Sequence, residues 1–196
     1  MLTRFPSVHI HRATPRLHIS TRLYVETLLQ LEKKTWDSQL DICYVTEAEM
    51  TDINTMHRHK HACTDVLTFT ERGREGALVD DLLFGSGPHT TEWSLERRNE
   101  GTDFGSIYVC VDYIYKKSFA ESHRNLPFSD YLKLSLIHAF LHSIGYNHET
   151  ADEMTEMIHR EQFLTRRISH LERRFPAQFS GIDGLDYMRN KGSIVY

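Results

Sequence analysis

The segment His138-Ala-Phe-Leu-His142-Ser-Ile-Gly145-Tyr-Asn-His148 carries three imidazoles at a spacing that suits a metal ion. Residues four apart share one face of a helix, so His138 and His142 can point at a common centre. Gly145 supplies the left-handed backbone that stops a helix and turns the chain back, which brings His148 toward the same ion. Three neutral imidazoles with a fourth position left to water describe a catalytic zinc site rather than a structural one. The chain holds 13 histidines and 10 glycines in 196 residues. At that composition the pattern HxxxHxxGxxH arises by chance about 0.003 times, so scattered core or surface histidines are the poorer explanation.

Metzincin proteases share this spacing but place a glutamate after the first histidine as general base. Here that residue is Ala139, which takes no proton, so the protease reading loses its base while the metal reading stands. A helix must carry the first two ligands. Leu132, Leu136, Phe140 and Ile144 form its apolar face, and Ser129 is placed to cap its start. Thr150 and Glu153 make a capping box opening the next helix, with Met154, Met157, Ile158, Leu164, Ile168 and Leu171 as its core stripe to about Arg173.

Upstream, Leu23, Tyr24, Thr27, Leu28 and Leu31 recur at helical spacing over 21–33, and Leu40, Ile42 and Tyr44 alternate as a strand ending at Val45. Thr46 with Glu49 caps a helix through Met50, Ile53 and about Met56. The cluster His57-Arg58-His59-Lys60-His61 is either a solvated turn or an anion-facing loop. A strand over Val66–Thr70 follows it. Residues 71–104 read as a long insertion loop, and Ile107, Val109 and Val111 alternate as a strand before a helix capped by Asp112 and running through Phe119. Helices alternating with strands predict an α/β fold, a single compact domain with a mixed sheet of about four strands covered by helices.

Hydrophobic residues are 40% of the chain and charged ones 26%, enough for one good core, and no apolar run is long enough to span a bilayer. Cys43, Cys63 and Cys110 are odd in number and widely spaced, which suits a reducing compartment and buried small hydrophobes. A net charge of −4 announces no global field for nucleic acid. Arg4, Arg12, Arg16 and Arg22 precede the first acid, Glu26, so residues 1–20 fit either a targeting segment or, through Val8 to Ile10, a first strand.

These residues resemble the YbeY family, whose signature reads HGxLHLxGYDH. His138, Leu141, His142, Gly145, Tyr146 and His148 match it; Ala139, Ser143 and Asn147 depart. A second family block, NxxYR followed by TDVLSF, is echoed by Asn54, Arg58 and Thr64-Asp-Val-Leu-Thr-Phe69. A third, GDI, appears as Gly105-Ser106-Ile107, and the acidic, Met-containing helix after the third histidine is also similar. The resemblance covers roughly residues 8–165, broken at 71–104. It implies a YbeY-like α/β fold with a zincin-like metal helix over 1–170 and a separate C-terminal tail over 171–196.

The resemblance further implies one Zn2+ per chain held by His138, His142 and His148, with Arg58 beside it as a catalytic group. Arg58, His59 and Lys60 are the expected RNA-contacting residues. The implied activity is that of an endoribonuclease, a hydrolase acting on RNA phosphodiester bonds in ribosomal RNA processing. Its expected partners are ribosomal RNA and the small ribosomal subunit precursor with its proteins, with no membrane. The expected location is the mitochondrial matrix or another organelle interior, otherwise the cytoplasm. Ser106 stands where the family has an acid. The alternative is therefore an assembly factor that binds the pre-ribosomal particle and keeps the metal site as scaffold.

Overall fold

A computed structural model describes residues 6–34, 38–70, 103–119 and 126–176. In chain order the elements are β1 (Ser7–His11), α1 (Pro15–Leu31), β2 (Gln39–Tyr44), α2 (Glu47–Arg58), β3 (Val66–Phe69), β4 (Asp103–Val109), α3 (Val111–Ser118), α4 (Phe128–Ser143) and α5 (Ala151–Arg174). The four strands form one mixed sheet in the order β1-β2-β4-β3. β1 and β4 each run parallel to β2, and β3 pairs antiparallel with β4. The expected α/β fold and four-stranded mixed sheet are what the chain adopts.

Each strand's alternation sorts its side chains between two cores. Leu40, Ile42 and Tyr44 of β2 join Ile107 and Val109 of β4 beneath α1, α4 and α5. On the opposite face a smaller cluster gathers Val45, Met50 of α2, Leu67 and Cys110. Phe104 and Ile107 are three apart yet share the larger core. The register explains this, because Gln39 pairs with Asp103 and Asp41 with Ser106, leaving one extra residue in β4. Gly105 sits in that bulge at φ 79°.

Several expected boundaries move, each for a local reason. α1 starts at Pro15 rather than at 21, because Thr14 accepts from the Leu17 amide and Pro15 fits the first helical turn. Asp112 lies in the first turn of α3 instead of capping it; Cys110 is the cap residue and Val111, expected in the strand, opens the helix. Pro127, not Ser129, precedes α4. The expected insertion at 71–104 ends sooner, since 103 and 104 belong to β4; 71–102 lie outside the described residues. α5 passes residue 170 and continues to Arg174, so the first residues of the expected tail are helical, while 177–196 lie outside the described residues. Its core stripe is narrower than expected: Met157, Leu164 and Ile168 are buried, but Met154 and Ile158 face outward.

α4 is buried on most sides, with Leu132, Leu136, Ile137, Ala139, Phe140 and Leu141 in the core. Thr68 of β3 donates its hydroxyl to the Ala139 carbonyl at 3.2 Å, and Ser135 donates to Asp65 at 3.3 Å. These bonds tie the helix to the strand that follows the α2 turn. Among the described residues no helix is long and apolar enough to cross a membrane.

Candidate metal centre

The last turn of α4 ends in a Schellman arrangement. The Tyr146 amide donates to the Leu141 carbonyl at 3.0 Å and the Gly145 amide to that of His142 at 3.1 Å. Gly145 takes φ 102°, a conformation for which side-chain-bearing residues are strained. A Cβ there meets nothing within 4 Å, so the requirement for glycine is conformational rather than steric. The reversed chain then carries His148 back over the helix end. Its amide donates to Asn147 Oδ1 at 2.9 Å, and Thr150 with Glu153 closes the capping box of α5 directly after.

One nitrogen from each of His138, His142 and His148 lies within 4.8 Å of the other two, a grouping that can hold a metal ion. The Nε2 atoms of His138 and His142 face each other at 3.1 Å. Their Nδ1 atoms point outward, His142 toward the Tyr146 carbonyl at 3.0 Å and His138 toward Glu161 Oε1 at 2.6 Å. The His148 ring stacks on that of His138 with centroids 5.5 Å apart. His138 and His142 are half-buried and His148 exposed, so the cluster opens to solvent on one side.

Burial, then the neighbouring His138 and His148 rings and the Arg58 guanidinium, hold His142 down to about 4, against the pull of its bond to the Tyr146 carbonyl. His142 is therefore neutral at ordinary pH, the state in which imidazole binds a metal. The donor set fits zinc: three borderline nitrogen ligands from one helix and its return, with an open side.

Arg58 ends α2, exposed, and its charge is felt at His142. His59 and Lys60 are exposed on the turn beyond it, outside the imidazole cluster. His59 takes a left-handed backbone as the helix cap, His57 sets its ring edge-on to Phe69, and His61 Nδ1 lies 3.2 Å from the Thr55 hydroxyl. Buried Asn54 organises this turn by donating to the Ala62 carbonyl at 2.7 Å while its own carbonyl accepts from the Lys60 amide at 3.3 Å. Ser106 lies in β4, paired with Asp41 and Phe69. Ala139 is fully buried, on the core side of α4.

Sequence reasoning missed Glu161. An acid on an acid-rich helix reads as solvated, and only the packing of α5 on α4 brings it to His138. The carboxylates on the helix after the third histidine were the available signal, since metal-binding histidines commonly donate their second nitrogen to an acid.

The family model described as endoribonuclease YbeY matches residues 10–169 of this chain. Among curated relatives, the endoribonuclease YbeY of an Exiguobacterium species is 31% identical over 142 residues, covering 70% of this chain and 80% of the relative. That of Pseudomonas fluorescens is 30% identical over 142 residues, with 72% and 78% covered. That of Phytoplasma australiense is 26% identical over 155 residues, with 77% and 89% covered. In fold the chain is similar to the solution structure of TM1509 from Thermotoga maritima, with TM-score 0.53 and 22% identity over 87% of this chain and 95% of that one.

Proposed function

The chain belongs to the YbeY family, and from that premise we propose that it is a zinc-dependent endoribonuclease acting in ribosomal RNA processing and maturation of the small ribosomal subunit. The observation that carries the reading is the convergence of three imidazoles with an arginine charge beside them. His138, His142 and His148 would hold one zinc ion per chain, which would supply Lewis-acid chemistry to the phosphodiester. Arg58 supplies what imidazoles do not, a fork of donors that pairs with phosphate oxygens and steadies charge developing at phosphorus. His59 and Lys60 on the exposed turn take neighbouring phosphates of the strand.

With a net charge of −4 the protein has no general attraction for RNA. Docking on the small-subunit precursor and its proteins therefore supplies part of the recognition. The arginine-rich residues 1–20 fit a mitochondrial matrix or other organelle interior as the place of action no better than the cytoplasm.

The test uses protein purified without a metal-affinity tag. Elemental analysis is expected to find about one zinc per chain, and a ribosomal RNA fragment is expected to be cleaved unless a chelator is present. His142→Ala should lose metal and cleavage together, whereas Arg58→Glu should keep the metal and lose cleavage. A folded wild-type protein that stays empty when zinc is offered overturns the enzyme reading. Ser106 in place of an acid supports a second reading, an assembly factor. Particle binding that survives in His142→Ala, with no cleavage by the wild type, would establish it.

A further inference from the structure

Glu161 lies outside every motif that marks the site, yet its carboxylate stands 2.6 Å from His138 Nδ1 with only 19% of the side chain exposed. Across the cluster, His142 Nδ1 donates to the Tyr146 carbonyl, which only accepts. The His142 proton is thereby assigned to Nδ1, and its Nε2 is a bare lone pair facing His138 Nε2 at 3.1 Å.

A neutral His138 has one ring proton and two places for it. On Nε2 it closes an N–H···N hydrogen bond to His142 and fills the space in which both rings would meet an ion. On Nδ1 it enters a charge-assisted bond to a carboxylate, about twice as strong as a neutral one. Two bare lone pairs then face each other, an arrangement that a cation relieves. We infer that Glu161 is a positioning residue that draws the His138 proton to Nδ1 and so keeps the space between His138 and His142 open for a metal ion.

Its own placement is built into the fold. Arg160, the preceding residue, donates to Glu32 at 2.6 Å, with the Glu32 side chain only 8% exposed. That bond ties α5 to the end of α1 and fixes the rotation at which Glu161 meets α4. The inference rests on the zinc reading above and extends it to a residue on another helix.

Two readouts test it. In metal-free protein, nitrogen NMR of the imidazoles is expected to find the His138 proton on Nδ1 in the wild type and on Nε2 in Glu161→Leu. Chelator competition is expected to show zinc affinity about 10- to 100-fold lower in Glu161→Leu. Glu161→Gln, which keeps the shape and removes the charge, should fall between and serves if the leucine variant folds poorly. A wild-type His138 protonated on Nε2, or variants that bind zinc as tightly as the wild type, would overturn the inference. A residue that merely packed α5 would alter stability and leave the tautomer alone. Because the tautomer is read without metal, a wild type that takes no zinc sinks the functional reading, whereas equal affinity in wild type and variants sinks this inference alone.

Discussion

Gly105 is where one residue's chemistry dictates a piece of the sheet. A Cβ built there lies 2.0 Å from the Phe69 carbonyl oxygen and 2.8 Å from the Thr70 Cα, backbone atoms at the end of the neighbouring strand and just past it. Neither can swing aside as a side chain would, and φ 79° adds strain for any other residue. Gly105→Ala is therefore expected to cost on the order of 3 kcal/mol or more, or to prevent folding, by forcing β3 from β4. Urea denaturation checks this, and a midpoint within error of the wild type would show that the bulge is not needed. The Gly-Ser-Ile block was legible in the sequence as part of a resemblance, but its steric reason was not, since the crowding comes from a strand more than thirty residues away in the chain. The three histidines were legible because ligand geometry demands fixed spacing on one helix and its return. Glu161 was hidden because its partner is set by helix packing.

At the scale of elements, the two capping boxes could be read, whereas the Thr14 cap of α1 and the helix starts set by packing were not. Both capping boxes, Thr46 with Glu49 and Thr150 with Glu153, are present as their sequences imply. Ser129 and Asp112 have good capping side chains but lie inside their helices, whose starts follow Pro127 and the buried Cys110 instead. Met154 and Ile158 matched the helical period, yet α5 lies on the core along a stripe too narrow to cover them. Glu49 makes the stronger case for a cap as an energetic device. It accepts from Arg12 at 2.8 Å and from the Thr46 amide at 2.9 Å. Those bonds, the Arg12 one foremost, hold its carboxyl down to about 2 against an ordinary value of 4.5. A depressed folded value means that the unfolded chain takes up the proton first. The stabilisation is complete above about 4.5 and is lost as pH falls through about 2. Glu49 is partly exposed, so solvent screening trims the effect, and Glu49→Gln should cost about 1 kcal/mol at neutral pH. Denaturation midpoints followed with pH should converge between wild type and variant as pH approaches about 2. A gap that stayed constant would separate the cap from its charge.

For the whole molecule, the open question in the sequence was whether its arginine-rich start is an address or a part of the fold. Ser7–His11 pairs with β2 through five consecutive register positions, and Val8 is buried. Arg12 is bound to Glu49 and Arg22 to Glu26, so basic residues of this stretch are engaged in the fold. Thr14 caps α1, whose Tyr24, Val25, Leu28 and Leu29 line the larger core. A basic composition and a folded edge strand thus occupy the same residues, and composition alone had no means of separating them. The fold sets a limit on processing. If the protein is imported and trimmed, the cut must fall before Ser7, because losing β1 uncovers one edge of the sheet and part of the α1 packing. A variant lacking residues 2–11 is expected to lose on the order of 3 kcal/mol or more from the buried Val8 and partly buried Ile10 side chains and their strand hydrogen bonds. Mass spectrometry of the mature protein recovered from the organelle, beside denaturation of that variant, checks both statements. A mature chain beginning beyond Arg12 that remains folded and holds zinc would show that β1 is dispensable and that the metal helix is supported without it.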